Sequence, residues 1–221
     1  MADHWTLHMQ NYDLLQGNFS EYQELVDFIV RSLQDCKRVL DVGAGTGIIT
    51  QRLLQLKISV TALDSNSSAL HLLEKKCRDM NGLTIIQHDA ALLPFSEKSF
   101  DGIASGLVLY NFVNPKKHLA ECYRVLEEKG HLAITNPLPH LDVAGLMERN
   151  RVELTKKGIL PKANDAFDEL LKTTQKNEEI LKKNTSSESE LVSMLNDTGF
   201  QITAIRKTYR GGMISLSAKK G

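Results

Sequence analysis

The sequence predicts an α/β fold in which crossover helices connect the strands of a parallel sheet. Between Arg38 and Asn136 short apolar runs alternate with helical stretches, which is the pattern of such a sheet. A chain of 221 residues, 42% hydrophobic and 24% charged, is long enough to bury a core and favours one domain over residues 1–221. In addition, residues 39–47, VLDVGAGTG, run from a strand through three glycines into a helix.

Five strands are predicted in the central region, each an apolar run bounded by turn residues. Three helices are predicted between them, because apolar residues recur there at helical spacing. The third helix has a good N-terminus, since Asn114 suits an N-cap and Pro115 a first helical position. The predicted strands are 38–42, 59–64, 83–89, 100–106 and 131–136, and the helices are 47–57, 68–78 and 115–126.

Two regions beside the sheet are predicted to be helical. Residues 1–35 present an amphipathic face before the first strand and are interpreted as a helical cover. Residues 137–185 are polar, are interrupted at Gly158 and Pro161, and are too long for a simple connection. We therefore interpret residues 137–185 as an insertion that carries its own helices.

The C-terminal part is predicted to contain one helix and a hairpin. Ser187 and Glu190 form a capping box, and Gly199 stops the helix that the box opens. The runs 201–209 and 213–219 meet at RGG, which is a hairpin signal. Two further strands are therefore expected.

Composition argues against several classes of function. Lysine plus arginine and aspartate plus glutamate number 27 each, so no net field favours nucleic acid or an anionic membrane as a partner. The three cysteines lie far apart and follow no metal-ligand spacing, so no metal is predicted and a reducing compartment is favoured. No leader peptide and no membrane-spanning run is recognisable. A cytoplasmic location is the expectation.

The glycine loop favours a bound ligand but not a dinucleotide. A strand that ends in glycines and opens a helix lets the backbone approach a ligand, and the helix N-terminus directs free N–H groups at it. A dinucleotide fingerprint needs G-x-G-x-x-G, whereas Gly43, Gly45 and Gly47 are spaced G-x-G-x-G. The alternative interpretation is a tight strand-to-helix turn that binds nothing.

Acidic residues at the ends of the next two strands favour a nucleoside. Asp64 ends the second strand, 21 residues beyond Gly43, where a carboxylate can accept hydrogen bonds from both hydroxyls of a ribose. Asp89 and Ala90 end the third strand, where a carboxylate or a backbone amide can meet an adenine edge. Turn residues or helix caps are the alternative for these positions.

These motifs resemble a known family. VLDVGAGTG, ALDSN and the stretch from HDAALLPF to LAITNP, together residues 38–136, are similar to the successive motifs of class I S-adenosylmethionine-dependent methyltransferases, in the small-molecule branch with the ubiquinone and biotin pathway enzymes. The resemblance implies a Rossmann-like, doubly wound, seven-stranded sheet that is parallel except for its last strand. It also implies a helical N-terminal cover over 1–35 and a substrate lid over 137–185.

The resemblance also implies which residues hold the cofactor, S-adenosylmethionine. Gly43 and Gly45 would back the methionine part, with Ser105 beside it. Asp41 would orient the loop or the cofactor's amino group, and a tyrosine of the cover would close over the cofactor, with Tyr12 the first candidate and Tyr22 the second. The implied cofactor-binding residues are Tyr12, Asp41, Gly43, Gly45, Asp64, Ser65, Asp89, Ala90 and Ser105.

The expected reaction is methyl transfer to an oxygen, nitrogen or carboxylate of a small molecule, with release of S-adenosylhomocysteine. No catalytic side chain is strictly required. A nearby base would help a hydroxyl acceptor, with Tyr110, Asn111 and His140 as the candidates, whereas positioning alone would suffice for a carboxylate. His140 has the alternative of an exposed loop histidine. A non-methylating enzyme on this fold and a non-catalytic cofactor-binding module are the alternative functions. A monomer or a homodimer is expected.

Overall fold

The computed structural model describes residues 13–221, apart from the side chains of residues 176, 177, 180 and 182. Its strands are β1 (Arg38–Val42), β2 (Ser59–Asp64), β3 (Leu83–Gln87), β4 (Phe100–Gly106), β5 (Leu126–Pro137), β6 (Phe200–Thr208) and β7 (Met213–Lys220). Its helices are α1 (Ser20–Leu33), α2 (Ile48–Gln55), α3 (Ser67–Cys77), α4 (Pro115–Val125), α5 (Val143–Lys156), α6 (Leu160–Asn184) and α7 (Glu188–Thr198). Residues 13–16 are helical as well.

The strands form one seven-stranded sheet in the order β3-β2-β1-β4-β5-β7-β6. Strand β7 is antiparallel to both of its neighbours, and the pairs among β1 to β5 are parallel. The predicted fold class is therefore confirmed. The strand order reverses between β1 and β4, and in open α/β sheets ligands bind beyond the carboxyl ends of the strands at such a switch point.

Apolar side chains bury both faces of the central strands. On one face Val39 and Ala104 pack with residues of α1, α2 and α3, including Ile29 and Leu53. On the other face Leu40 and its neighbours pack against α4 and α7. Both crossover layers are thus anchored in the sheet, and the loops at the carboxyl ends of the strands are held between them.

Two strand boundaries differ from the prediction by two residues or more. Strand β5 begins at Leu126, five residues before the predicted start, because Leu126 pairs with Phe100 ahead of a register shift in the β4–β5 ladder. The segment EEKG therefore lies within β5 instead of forming a separate turn, with Lys129 at a positive φ of 64°. Strand β3 ends at Gln87, which leaves Asp89 in the loop beyond the sheet.

The insertion, residues 137–185, contains helices α5 and α6, which pack against each other. The chain turns between them at Gly158, whose φ is +67°, and Pro161 lies in the first turn of α6. Leu15 and Phe19 from the N-terminal part pack against Met147 and Phe167 of the insertion in one apolar cluster. The insertion is therefore held against the segment that precedes α1.

The C-terminal strand is fastened by a buried lysine. Lys220 is 7% exposed, and its Nζ donates to the carbonyl oxygens of Tyr123 and Leu126, at 2.9 Å each. Both carbonyls lie at the junction of α4 and β5, so the end of β7 is bonded to the neighbouring crossover. Over the described range, residues 13–221, none of the helices has the length and apolar character needed to cross a membrane.

Candidate active site

The glycine loop between β1 and α2 adopts a conformation that requires glycine. Gly43, Gly45 and Gly47 have φ values of +66°, +53° and +84°, in the left-handed region that other residues rarely adopt. The amides of Gly43 and Ala44 both donate to the carbonyl of Leu63, at 2.7 and 3.0 Å, which holds the loop against the end of β2.

Each glycine has a different neighbourhood. A Cβ at Gly47 would lie 2.5 Å from Cγ of Leu73, and one at Gly43 would lie 2.3 Å from a methyl of Val108. A Cβ at Gly45 would meet nothing nearer than 4.0 Å, because this glycine faces open space. Gly43 and Gly47 are therefore needed for packing, whereas Gly45 leaves room for a ligand.

The loop forms one wall of a cleft of about 710 Å³ at the switch point, which we call the switch-point cleft. The other walls are the ends of β2, the loop after β3 and the loop after β4. Nine site candidates singled out from the sequence line it: Tyr22, Gly43, Gly45, Asp64, Ser65, Asp89, Ala90, Tyr110 and Asn111. Tyr12 lies outside the described residues, and Tyr22, the second candidate, lines the cleft.

Two backbone amides hold the side chain of Asp64 at the carboxyl end of β2. Its Oδ2 accepts from the amide of Gly45 at 2.8 Å, and its Oδ1 accepts from the amide of Asn66 at 2.8 Å. A carboxylate oxygen can accept more than one hydrogen bond, so each retains capacity for a further donor in the cleft. Asp64 therefore both shapes the glycine loop and presents two fixed acceptors.

Asp41 and Ser105 lie in the strands beneath the cleft and do not line it. Asp41 is 1% exposed; its Oδ2 accepts from Thr50 Oγ1 at 2.6 Å, and its Oδ1 has no partner. The pKa of Asp41 is raised to about 7, chiefly by burial; the hydrogen bonds from Thr50 oppose the shift and the charge of Asp64 adds to it. Ser105 is 1% exposed and its Oγ has no partner either.

Three side chains of α4 hold the loop that follows β3. His118, Glu121 and Arg124 are spaced by three, so they share one face of the helix. His118 Nδ1 lies 3.0 Å from the carbonyl of Ala90, Glu121 accepts from the amide of Leu93, and Arg124 donates to the carbonyl of Leu93 and, at 2.7 Å, that of Phe95. The sequence prediction missed this set, although its spacing was visible.

His118 is a neutral imidazole at the base of the cleft. It is 1% exposed, and burial lowers its pKa to about 4. A carbonyl accepts at Nδ1, so this nitrogen carries the proton and Nε2 accepts from the thiol of Cys122, 3.4 Å away. The ring of Phe112 stacks on the imidazole with centroids 4.1 Å apart.

The low pKa of His118 predicts a pH dependence of stability. The unfolded imidazole binds a proton near pH 6.5 and the folded one only near pH 4, so the unfolded state gains as pH falls through this window. We expect about 2 kcal/mol of unfolding free energy to be lost between pH 7 and pH 5 through His118. Asp41 acts in the opposite sense, because its contribution is present at low pH and is lost as pH rises through about 7.

The measurement is urea unfolding at pH 5, 6 and 7 for the wild type, His118→Gln and the exposed control His71→Gln. The unfolding free energy of the wild type should fall between pH 7 and pH 5. In His118→Gln this fall should be smaller, because the buried imidazole is gone. His71→Gln should follow the wild type. Parallel profiles for the wild type and His118→Gln would show that His118 is not the group responsible.

A second cavity of about 360 Å³ lies between α1, the insertion and the β6–β7 hairpin, and we call it the insertion cavity. It is lined mostly by apolar and aromatic side chains, and its described lining contains no acidic or basic residue. The apolar residues that the insertion contributes to this lining include Leu141, Val143, Leu146 and Met147.

The two cavities meet at five residues, which line both: Tyr22, Gly45, Thr46, Leu107 and Tyr110. Thr46 Oγ1 donates to Asp13 Oδ1 at 2.6 Å, and Lys76 Nζ donates to the same oxygen, so the N-terminal segment is bonded to the glycine loop here. Leu107 has a φ of +58°. A large side chain in this region is strained, and such strain concentrates at functional sites.

Two of the candidate catalytic residues lie at the cleft and one does not. Tyr110 lines both cavities, and burial raises the pKa of its phenol, so it remains protonated and can act as a hydrogen-bond donor. Asn111 lines the switch-point cleft alone. His140 is exposed and lines neither cavity, because its Nε2 lies 3.0 Å from the carbonyl of Gly211 in the β6–β7 hairpin.

Comparison with known proteins agrees with this geometry. Residues 40–134 match the sequence model of the methyltransferase domain family. The demethylmenaquinone methyltransferase of Thermotoga maritima is 36% identical over 138 residues, which cover 59% of this chain and 58% of that protein. The ubiquinone/menaquinone biosynthesis C-methyltransferase UbiE of Blochmanniella pennsylvanica is 41% identical over 102 residues, 43% of this chain and 40% of that protein.

Solved structures share the fold over nearly the whole chain. A SAM-dependent methyltransferase from Aquifex aeolicus has a TM-score of 0.63 at 17% identity, covering 92% of this chain and 91% of that one. The [4+2]-cyclase SpnF has a TM-score of 0.67 at 15% identity, covering 90% and 81%.

The fold and these matches make the chain similar to class I S-adenosylmethionine-dependent methyltransferases. The match to the methyltransferase domain family extends over residues 40–134, and the chain spans about half the length of the curated relatives it matches.

Proposed function

We propose that the protein transfers a methyl group from S-adenosylmethionine to an uncharged, largely apolar small molecule. The observation that carries this proposal is the junction of the two cavities. The insertion cavity adjoins the cleft at Gly45 and Leu107, and its described lining offers no charged side chain to an ionic acceptor. Its size lies within the usual range for small-molecule sites.

The residues of the switch-point cleft fit S-adenosylmethionine. Gly45 faces open space where a Cβ would intrude on a ligand, and Asp64 holds two acceptors where a ribose needs them. In the proposed arrangement Gly43 and Gly45 back the methionine part, and Asp64 with Ser65 binds the ribose. Asp89 and Ala90 flank the adenine, and the buried Asp41 acts from beneath the loop. Ser105 is left as a packing residue, since it does not line the cleft.

The chemistry that we propose depends on alignment. S-adenosylmethionine supplies an activated methyl group on a sulfonium. The residues at the junction would align the acceptor with that group, and alignment can lower a barrier by about 7–11 kcal/mol. Tyr110, protonated at neutral pH, would donate a hydrogen bond that orients the acceptor. No side chain of the described lining is assigned as a base, so the acceptor itself would supply an electron-rich atom.

The relatives narrow the proposal to a carbon acceptor. The protein from Thermotoga maritima is named as a demethylmenaquinone methyltransferase, and that from Blochmanniella pennsylvanica as a ubiquinone/menaquinone biosynthesis C-methyltransferase. The aligned region spans 58% and 40% of their lengths. We propose an electron-rich ring of the reduced-quinone type, in which a ring carbon would bond the methyl group as the methyl–sulfur bond breaks and would then lose its proton to water, without a protein base.

Production of S-adenosylhomocysteine tests this proposal. With S-adenosylmethionine present, reduced 1,4-naphthoquinone should yield S-adenosylhomocysteine and a ring-methylated product, whereas benzoate should yield neither. If benzoate is methylated and reduced 1,4-naphthoquinone is not, the proposed acceptor must be a carboxylate and not an uncharged apolar molecule. Consumption of S-adenosylmethionine without methylation of any acceptor would favour the non-methylating alternative.

The cofactor assignment predicts selective thermal protection. S-adenosylhomocysteine at a hundred times its dissociation constant should stabilise the folded protein by about 2.7 kcal/mol, because it binds the native state alone. NAD at the same concentration should not raise the melting temperature, since the loop lacks the dinucleotide spacing. Differential scanning fluorimetry measures both shifts. Protection by NAD and not by S-adenosylhomocysteine would overturn the cofactor assignment.

A further inference from the structure

Among the described residues that line the insertion cavity, one buried polar side chain, Asn150, has no hydrogen-bond partner. Helix α5 turns an apolar stripe inwards, formed by Val143, Leu146, Met147 and Leu154, and Asn150 occupies the same stripe. Asn150 is 5% exposed. Helical spacing predicts an apolar residue at this position, so the amide departs from the pattern of its own helix.

The amide of Asn150 has no hydrogen-bond partner among the described residues, and the side chain lines the insertion cavity. By contrast, the hydroxyl of Thr174, which also lines the cavity, already donates to the carbonyl of Leu170 at 2.8 Å. The amide is not sealed in the core but opens onto the cavity, where it has no protein partner, whereas an apolar residue of similar shape would suit the rest of the stripe. The position of Asn150 is therefore accounted for by a partner that enters the cavity.

The chemistry of that partner follows from the surroundings of Asn150. An amide can donate to a carbonyl oxygen and accept from a hydroxyl. A carboxylate or phosphate would need a compensating cation, and the described lining of the insertion cavity has none. An uncharged carbonyl or hydroxyl on an otherwise apolar molecule satisfies both conditions.

We propose that Asn150 recognises the methyl acceptor by a hydrogen bond to an uncharged carbonyl or hydroxyl oxygen. The inference rests on the proposed function, because it places the acceptor in the insertion cavity. It goes beyond the proposed function, because it makes Asn150 the residue that distinguishes acceptors with an oxygen atom from plain hydrocarbons. Sites that hydrogen-bond a substrate group discriminate strongly against analogues that lack it, because the buried polar group is then left unpaired.

The test compares the binding of 1-naphthol and naphthalene, which differ by one hydroxyl, in the presence of S-adenosylhomocysteine. The wild type should bind 1-naphthol about tenfold more tightly, as one neutral hydrogen bond allows. Asn150→Leu should bind the two probes equally. The control Asn164→Leu makes the same change at an exposed position of α6 and should keep the preference. Asn150→Ala, which cannot overpack the cavity, should behave as Asn150→Leu does.

Thermal unfolding without ligand separates recognition from a structural role. Asn150→Leu should melt at the same temperature as the wild type or higher. Three outcomes would overturn the proposal. The first is a lower melting temperature in both Asn150 variants. The others are a preference for 1-naphthol that persists in these variants and a wild type that shows no such preference. Turnover is measured separately. If the Asn150 variants lose the preference for 1-naphthol but the wild type methylates no acceptor, Asn150 remains a recognition residue and the proposal of methyl transfer is rejected.

Discussion

Asp64→Ala should weaken the binding of S-adenosylhomocysteine by about 1.5–3 kcal/mol, roughly ten- to a hundredfold, which is the range for hydrogen bonds to a charged group. In the proposed complex the substitution removes the acceptors for the ribose hydroxyls. It also removes the bonds that hold the amides of Gly45 and Asn66, so the glycine loop loses its support. Isothermal titration calorimetry measures the affinity.

The matched control for this prediction is Asp79→Ala. Asp79 lies just beyond α3 with a side chain that is 95% exposed, so its removal changes the net charge equally without touching the cleft. The control should bind S-adenosylhomocysteine as the wild type does. Unchanged affinity in Asp64→Ala would remove Asp64 from the cofactor site.

The glycine loop offers a second large effect, in which two identical substitutions separate stability from binding. Gly47→Ala should lower the unfolding free energy by about 2–4 kcal/mol, because its Cβ would overlap buried Leu73 and its φ is positive. Gly45→Ala should cost only about 1 kcal/mol of backbone strain, since it meets no neighbour. Its methyl group would instead project into the cleft and weaken S-adenosylhomocysteine binding.

Urea unfolding and calorimetry on both variants test this separation. We expect Gly47→Ala to lose stability and, where folded, to retain most of its affinity. Gly45→Ala should keep most of its stability and lose affinity for S-adenosylhomocysteine. If both variants lose stability alike and neither loses affinity, Gly45 does not face the cofactor.

The sequence predicted the fold and the lining of the cleft because both depend on local patterns. Apolar runs with turn residues located the strands, and a loop that needs positive φ at three positions can be recognised from Gly43, Gly45 and Gly47. Parallel strands bring their carboxyl ends to one edge, so Asp64 and Asp89 could be placed together before the structure was known.

The features that the sequence did not predict depend on contacts between distant segments. His140 was located in a loop, but the direction of its ring is determined by the carbonyl of Gly211, about seventy residues away. The positive φ of Leu107 leaves no mark in the sequence, because leucine does not favour it. Asn150 was overlooked in a stripe that is otherwise apolar, although a polar residue at a buried helical position was the available signal.

The place of β7 between β5 and β6 has a consequence for biosynthesis. Within residues 13–221, strand β6 joins the sheet only through β7, and β5 gains its described neighbour on that side only when residues 213–220 have left the ribosome. While the insertion and α7 are being translated, the nascent chain therefore carries an unpaired edge strand, which is a template for aggregation. The ammonium of Lys220, which reaches the carbonyls of Tyr123 and Leu126, can close the sheet only at the end of synthesis of this region.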